Sequence, residues 1–199
     1  MKNYLLILFS VVLVSCGSKE KKQETDNKTE KEAITYAADW ESLKQHQKPD
    51  WFLYAKFGIY CHWGPYSVPA YETEWYAHWM YVNADNPEAR KGKAHKIYDH
   101  HVKTYGPLDK FGYKDFIPMF KAEKFDAEKW AQLFKDAGAK FAGPCAQHHD
   151  GYALWDSEVN PWNSVDRGPG KDITGEMEKA IKKRDMRFIA TFHHARNLQ

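Results

Sequence analysis

FDAEKWAQLFKDAGAKFAGPCAQHHDGYALWDS, residues 125–157, holds the pattern that decides the fold. Asp126 offers a short side-chain acceptor to the free N–H groups of a first helical turn, so it reads as an N-cap. Trp130, Leu133, Phe134 and Ala137 recur at i, i+3, i+4 and i+7, the single apolar stripe of an amphipathic helix. Gly138 stands where a helix ends by entering the left-handed region, which costs a residue without a Cβ nothing. Ala139 to Cys145 is then a short apolar run, read as a buried strand. His148, His149, Asp150 and Gly151 follow it.

The same alternation continues on both sides. Phe57 to Cys61 is a short apolar run before the helix. After it, residues 172–184 predict a second helix with Ile173, Met177, Ala180 and Ile181 on one face, and Arg187 to Phe192 predict a third strand. Strand, helix, strand, helix, strand indicates parallel βαβ units, because a parallel return needs a crossover and the crossover is a helix. Residues 64–123 separate the first strand from the first of these helices. They carry Tyr66, Tyr71, Trp75, Tyr76, Trp79 and Tyr81, and a further helix is expected after the Asn86–Pro87 start signal.

In parallel barrels the reactive groups stand at the C-terminal ends of the strands, and here each strand runs into histidine. The first gives His62, the second His148 and His149, the third His193 and His194. Three readings of these imidazoles stay open. Histidine is the commonest ligand of zinc-type ions, but neighbours in an extended chain point to opposite faces, and neither HExxH nor a comparable chelating spacing is present. Neutral imidazoles both donate and accept hydrogen bonds, which suits sugar hydroxyls. The third reading is structural, with the rings bonded to nearby backbone. Glu74–Trp75 in the aromatic loop tilts the balance towards sugar, since indole stacks on a C–H-rich sugar face and a carboxylate accepts from a hydroxyl.

Composition sets the outer bounds. Twenty-nine basic and 27 acidic residues give a formal charge of +2, which argues against a nucleic-acid footprint. Tyr4 to Val14 is an apolar stretch behind Lys2, too short for a hydrocarbon layer about 30 Å thick, and it reads as an export signal. It ends in Leu13-Val14-Ser15-Cys16-Gly17, similar to a bacterial lipobox, so Cys16 is the expected site of lipidation. Residues 17–35 mix charges without an apolar face and are expected to form a disordered tether. The domain reading is therefore signal over 1–16, tether over 17–35 and folded catalytic-type region over 36–199. Cys61 and Cys145 sit in apolar runs and are read as free, buried thiols.

Three stretches together resemble one known family. They are KFGIYCHWGPYSVPAYETEWYAHWM from Lys56, FDAEKWAQLFKDAGAKFAGPCAQHHDGYALWDS from Phe125, and GPGKDITGEMEKAIKKRDMRFIATFHHARN from Gly168. In order and content they are similar to glycoside hydrolase family 29, the alpha-L-fucosidases. The resemblance implies an α/β fold, the N-terminal portion (about three βα units) of a TIM-like (β/α)8 barrel. It implies hydrolysis of terminal alpha-L-fucosyl linkages of fucosylated oligosaccharides by a retaining mechanism. It places His62, Glu74, Trp75, His148 and His149 against the sugar, with no cofactor and no metal. In the family the nucleophilic Asp lies on the fourth strand and the acid/base later still, so both are expected beyond Gln199 and the 199-residue chain is expected to be inactive by itself. The location expected is an exported lipoprotein on a membrane. The alternative function is a non-catalytic fucose- or glycan-binding module.

Overall fold

The computed structural model describes residues 35–82, 85 and 94–194. The export signal, Cys16, the tether up to residue 34 and the Asn86–Pro87 helix start lie outside the described residues. Two compact units are present, Met1–His46 and Gln47–Gln199. In the first, α1 (Trp40–Lys44) is capped by Asp39, whose carboxylate accepts from the Ser42 N–H. The second unit holds the sheet and the site.

In that unit α2 (Asp50–Ala55) leads into β1 (Gly58–Cys61). A 3-10 turn (Pro65–Ser67), α3 (Tyr76–Trp79), α4 (Ala94–Tyr105) and a 3-10 helix (Tyr113–Met119) fill the long connection. Then come α5 (Ala127–Asp136), β2 (Phe141–Gln147), α6 (Ile173–Lys182), β3 (Arg187–Phe188) and β4 (Thr191–Phe192). The strands are parallel: β2 is central and pairs with β1, β3 and β4. The expected βαβ alternation is therefore present. No helix among the described residues is long and apolar enough to cross a membrane.

Local chemistry explains the boundaries. Asp126 caps α5 by accepting from Lys129 N–H at 3.0 Å. Gly138, at φ +89°, ends it with paired bonds from Gly138 N–H to Lys135 O and from Ala139 N–H to Phe134 O. Asp172 caps α6 in the same way, accepting from Gly175 N–H at 2.8 Å. The predicted face of α6, Ile173, Met177, Ala180 and Ile181, is buried.

Three expectations need correction. The buried face of α5 runs through Ala127, Ala131 and Phe134, while Leu133 is 66% exposed. At about 100° per residue Leu133 falls well off that arc, so its place in the sequence stripe was accidental. Strand β2 lies two residues later than predicted, so His148 directly follows its end. The third strand is interrupted. Gly143 lacks a Cβ, and a Cβ built there would stand 1.6 Å from Ile189 O. The next residue, Pro144, has no N–H to give the ladder. Pairing resumes at Cys145↔Thr191 and shifts by one residue at Gln147↔Phe192.

The sheet and helices enclose a core of Ala142, Phe125, Phe134, Leu154, Ile173, Met177 and Ile181. Glu128 ties α5 to the end of α6, accepting from Arg184 at 2.7 Å and Lys183 at 3.2 Å. A second cluster, Tyr66, Tyr76, Met80, Ile97, Tyr113 and Phe116, organises the long connection. His101 belongs to it and is structural. Its Nε2 lies 2.8 Å from Phe111 O, a group that only accepts, so Nδ1 is left to accept from the Tyr76 hydroxyl at 3.1 Å.

Candidate functional site

Because β1, β2 and β4 are parallel neighbours, the residues after their last positions emerge at one edge. His62 follows β1, His148 follows β2 and His193 follows β4. Their ring centroids lie 5.1 Å (His62–His148), 5.1 Å (His62–His193) and 4.8 Å (His148–His193) apart. His193 is held by its own N–H, which donates to Gln147 O at 3.0 Å. Its neighbour His194 turns away to Gln147 Oε1, 3.1 Å distant.

His148 and His149 behave differently from neighbours in a strand. Their centroids are 4.8 Å apart and both meet Trp75, His148 edge-on at 5.9 Å and His149 at 4.3 Å. The extended-chain rule fails here because the backbone turns at His148: Gly151 N–H returns to His148 O at 3.0 Å, and Gly151 adopts φ +73°. Asp150 fixes this turn. It is 2% exposed, accepts from Tyr152 N–H at 3.1 Å and from the Tyr113 hydroxyl at 2.6 Å. Burial pushes its carboxyl up to about 6, against the pull of these donors.

Glu74 lies at the same edge. The Thr73 hydroxyl donates to it at 2.9 Å, and the same hydroxyl oxygen accepts from Trp75 N–H at 3.2 Å, so one threonine orients the Glu–Trp pair. Partial burial raises the Glu74 carboxyl, but hydrogen bonds from its own backbone N–H and Thr73, with the charges of His62 and His148, hold it below its ordinary value. All five residues singled out from the sequence, His62, Glu74, Trp75, His148 and His149, are thus at one site.

In two of the rings, His148 and His193, the charged form is disfavoured. Burial, then the neighbouring imidazoles His149, His193 and His62, push His148 down to about 4. His193 is also lowered, by burial first and then by His62 and His149. A neutral imidazole presents one donor and one acceptor. His62 Nε2 and His148 Nε2 are buried without a hydrogen-bond partner, as is the Tyr66 hydroxyl, whose ring meets His148 edge-on at 5.4 Å. A buried polar atom left unbonded costs about 1–3 kcal/mol, so three at one edge mark a place where a polar ligand would complete the bonding. Tyr66 is the residue that sequence reasoning passed over, one tyrosine among several in the long connection. Both nearby thiols, Cys61 and Cys145, are free, and burial pushes Cys145 up to about 11, so it stays protonated.

A cavity of about 580 Å³ borders Asp150, lined by Tyr81, Lys110, Tyr113, Asp115 and Trp162 among others. None of the strand-end histidines lines it. The site is therefore placed by its chemistry, not by this cavity.

Against known proteins, residues 23–198 match the profile of the family described as alpha-L-fucosidase. The tissue alpha-L-fucosidase of Bos taurus is 40% identical over 186 residues, covering 92% of this chain and 37% of that protein. The plasma alpha-L-fucosidase of Homo sapiens is 42% identical over 158 residues, covering 78% and 32%. Among solved structures, Thermotoga maritima alpha-fucosidase in complex with fucose superposes with a TM-score of 0.65 at 41% identity, covering 79% of this chain and 37% of that one. The chain spans about a third of the length of these relatives. The profile match over most of its residues shows that the chain belongs to the alpha-L-fucosidase family.

Proposed function

We propose that His62, Glu74, Trp75, His148 and His149 hold a terminal L-fucose, and that the protein hydrolyses alpha-L-fucosyl linkages of fucosylated glycans with retention of configuration. The observation that carries this reading is the convergence of two unbonded buried imidazole nitrogens and the unbonded Tyr66 hydroxyl beside the Glu74–Trp75 pair. Such a set offers donors and acceptors to ring hydroxyls and an indole to the C–H face. That a relative was solved with fucose bound supports the choice of sugar.

Retention requires a carboxylate nucleophile and a carboxylic acid about 5–5.5 Å apart. We assign neither role to Glu74 or Asp150. Asp150 is buried and committed to Tyr113 and Tyr152, and Glu74 is held anionic beside the histidines. The role given to the residues in hand is to grip the sugar. We infer also that the parallel sheet with its crossover helices is the N-terminal part of a (β/α)8 barrel, and that export followed by lipidation at Cys16 holds the protein on a membrane. Loss of fatty-acid labelling in Cys16→Ala would test the anchor.

Calorimetric titration of the chain with L-fucose tests the sugar reading. One fucose per chain is expected, lost in His148→Ala and weakened at least tenfold in Trp75→Ala; absence of binding to the unaltered chain overturns it. Release of nitrophenol from nitrophenyl alpha-L-fucoside, measured on a parent protein that also carries the two catalytic carboxylates, distinguishes hydrolysis from a module that only binds.

A further inference from the structure

The strand-end histidines have a capacity that sugar binding does not exhaust. We propose that His62, His148 and His193 together hold one borderline-soft divalent ion, zinc or copper, at the sugar pocket, and that ion and sugar exclude each other there. One ligand nitrogen from each of the three rings lies within 4.8 Å of the others. Each ring comes from a different strand end, so the set is spaced by the sheet and needs no chelating motif along the chain. His62 Nε2 and His148 Nε2 are buried and unbonded, so an ion would not have to displace an existing hydrogen bond at either.

The neighbours fit a cation. The Glu74 carboxylate acts electrostatically on His62, His148 and His193 alike. Zinc binds imidazole nitrogen at about 2.0–2.1 Å, which sets tetrahedral nitrogens about 3.4 Å apart. The widest pair must therefore close by about 1.4 Å, a displacement that side-chain rotation of the half-buried His62 or His193 supplies. Three protein nitrogens leave a fourth position open. Imidazole ligands select zinc and copper over magnesium and calcium, which prefer oxygen. The ion would act as a reversible blocker, since it takes the very nitrogens that would bond the sugar.

The test is calorimetric titration of the full chain, purified without a polyhistidine tag, with zinc chloride. One zinc per chain is expected, with no heat from magnesium chloride. His62→Gln and His193→Gln should each weaken zinc at least tenfold, and His194→Gln, whose ring bonds Gln147, should leave it unchanged. In the unaltered chain zinc should protect His62 and His193 from diethyl pyrocarbonate, mapped by mass spectrometry, which keeps the test independent of variant folding. No stoichiometric zinc, or zinc binding that survives both substitutions, overturns the site. The exclusion rests on the sugar reading above and the metal site does not. Zinc affinity untouched by L-fucose, in a chain that binds fucose, overturns the exclusion. A chain that binds zinc and no fucose refutes the sugar reading and supports the metal site.

Discussion

Replacing Asp150 by Asn should change how stability depends on pH. Asp150 is fully enclosed and its carboxyl is raised from 3.8 to about 6, chiefly by burial. A raised acid binds its proton more tightly folded than unfolded. Its contribution to stability is therefore complete below about pH 4 and is lost as pH rises through about 6. At 1.36 kcal/mol per pH unit between the two values, the loss is about 3 kcal/mol. Asn has nearly the same shape. Its carbonyl can accept from Tyr152 N–H, and its amide can donate to a rotated Tyr113 hydroxyl, so both contacts survive. The assay is urea denaturation of both proteins from pH 4 to pH 7.5. Relative to the parent, Asp150→Asn should gain about 3 kcal/mol across that range, with most of the change between pH 4 and 6. Two stability curves that run parallel would refute the reasoning, because they would mean that Asp150 titrates alike in both states.

His148 should show the opposite sign. Its ring is depressed from 6.5 to about 4, so its stability is present above pH 6.5 and is lost as pH falls through 4; His148→Gln should flatten that acid limb in the same urea series. Gly143→Ala should destabilise by about 3 kcal/mol or leave the chain insoluble, because the new Cβ would collide with backbone at Ile189 O rather than with a side chain that can move; a thermal midpoint equal to the parent's would contradict the strand spacing. Asp126→Ala should cost about 1 kcal/mol through loss of the α5 cap, measured by denaturation at pH 7, and Asp126→Ser should recover most of it.

The sequence alone determined whatever depends on residues near one another along the chain. Asp126, Gly138 and Asp172 marked helix ends because caps bond within one turn. The α6 face was legible because its apolar positions repeat with the helical period. The order of strands and helices, with three stretches in it that resemble one family, placed His62, Glu74, Trp75, His148 and His149 in one candidate site. Tertiary structure decided what depends on neighbours across the sheet. Leu133 fits a stripe by spacing, yet which arc of α5 is covered depends on α6 and the sheet, and Leu133 falls outside it. Tyr66 gained meaning only when its ring met His148. Spacing along the chain spoke against chelation, but His62, His148 and His193 meet across three strands, at separations set by β-sheet pairing and by the break at Gly143–Pro144. Local periodicity is written residue by residue; which nitrogen faces which is fixed only when parallel strands come into register.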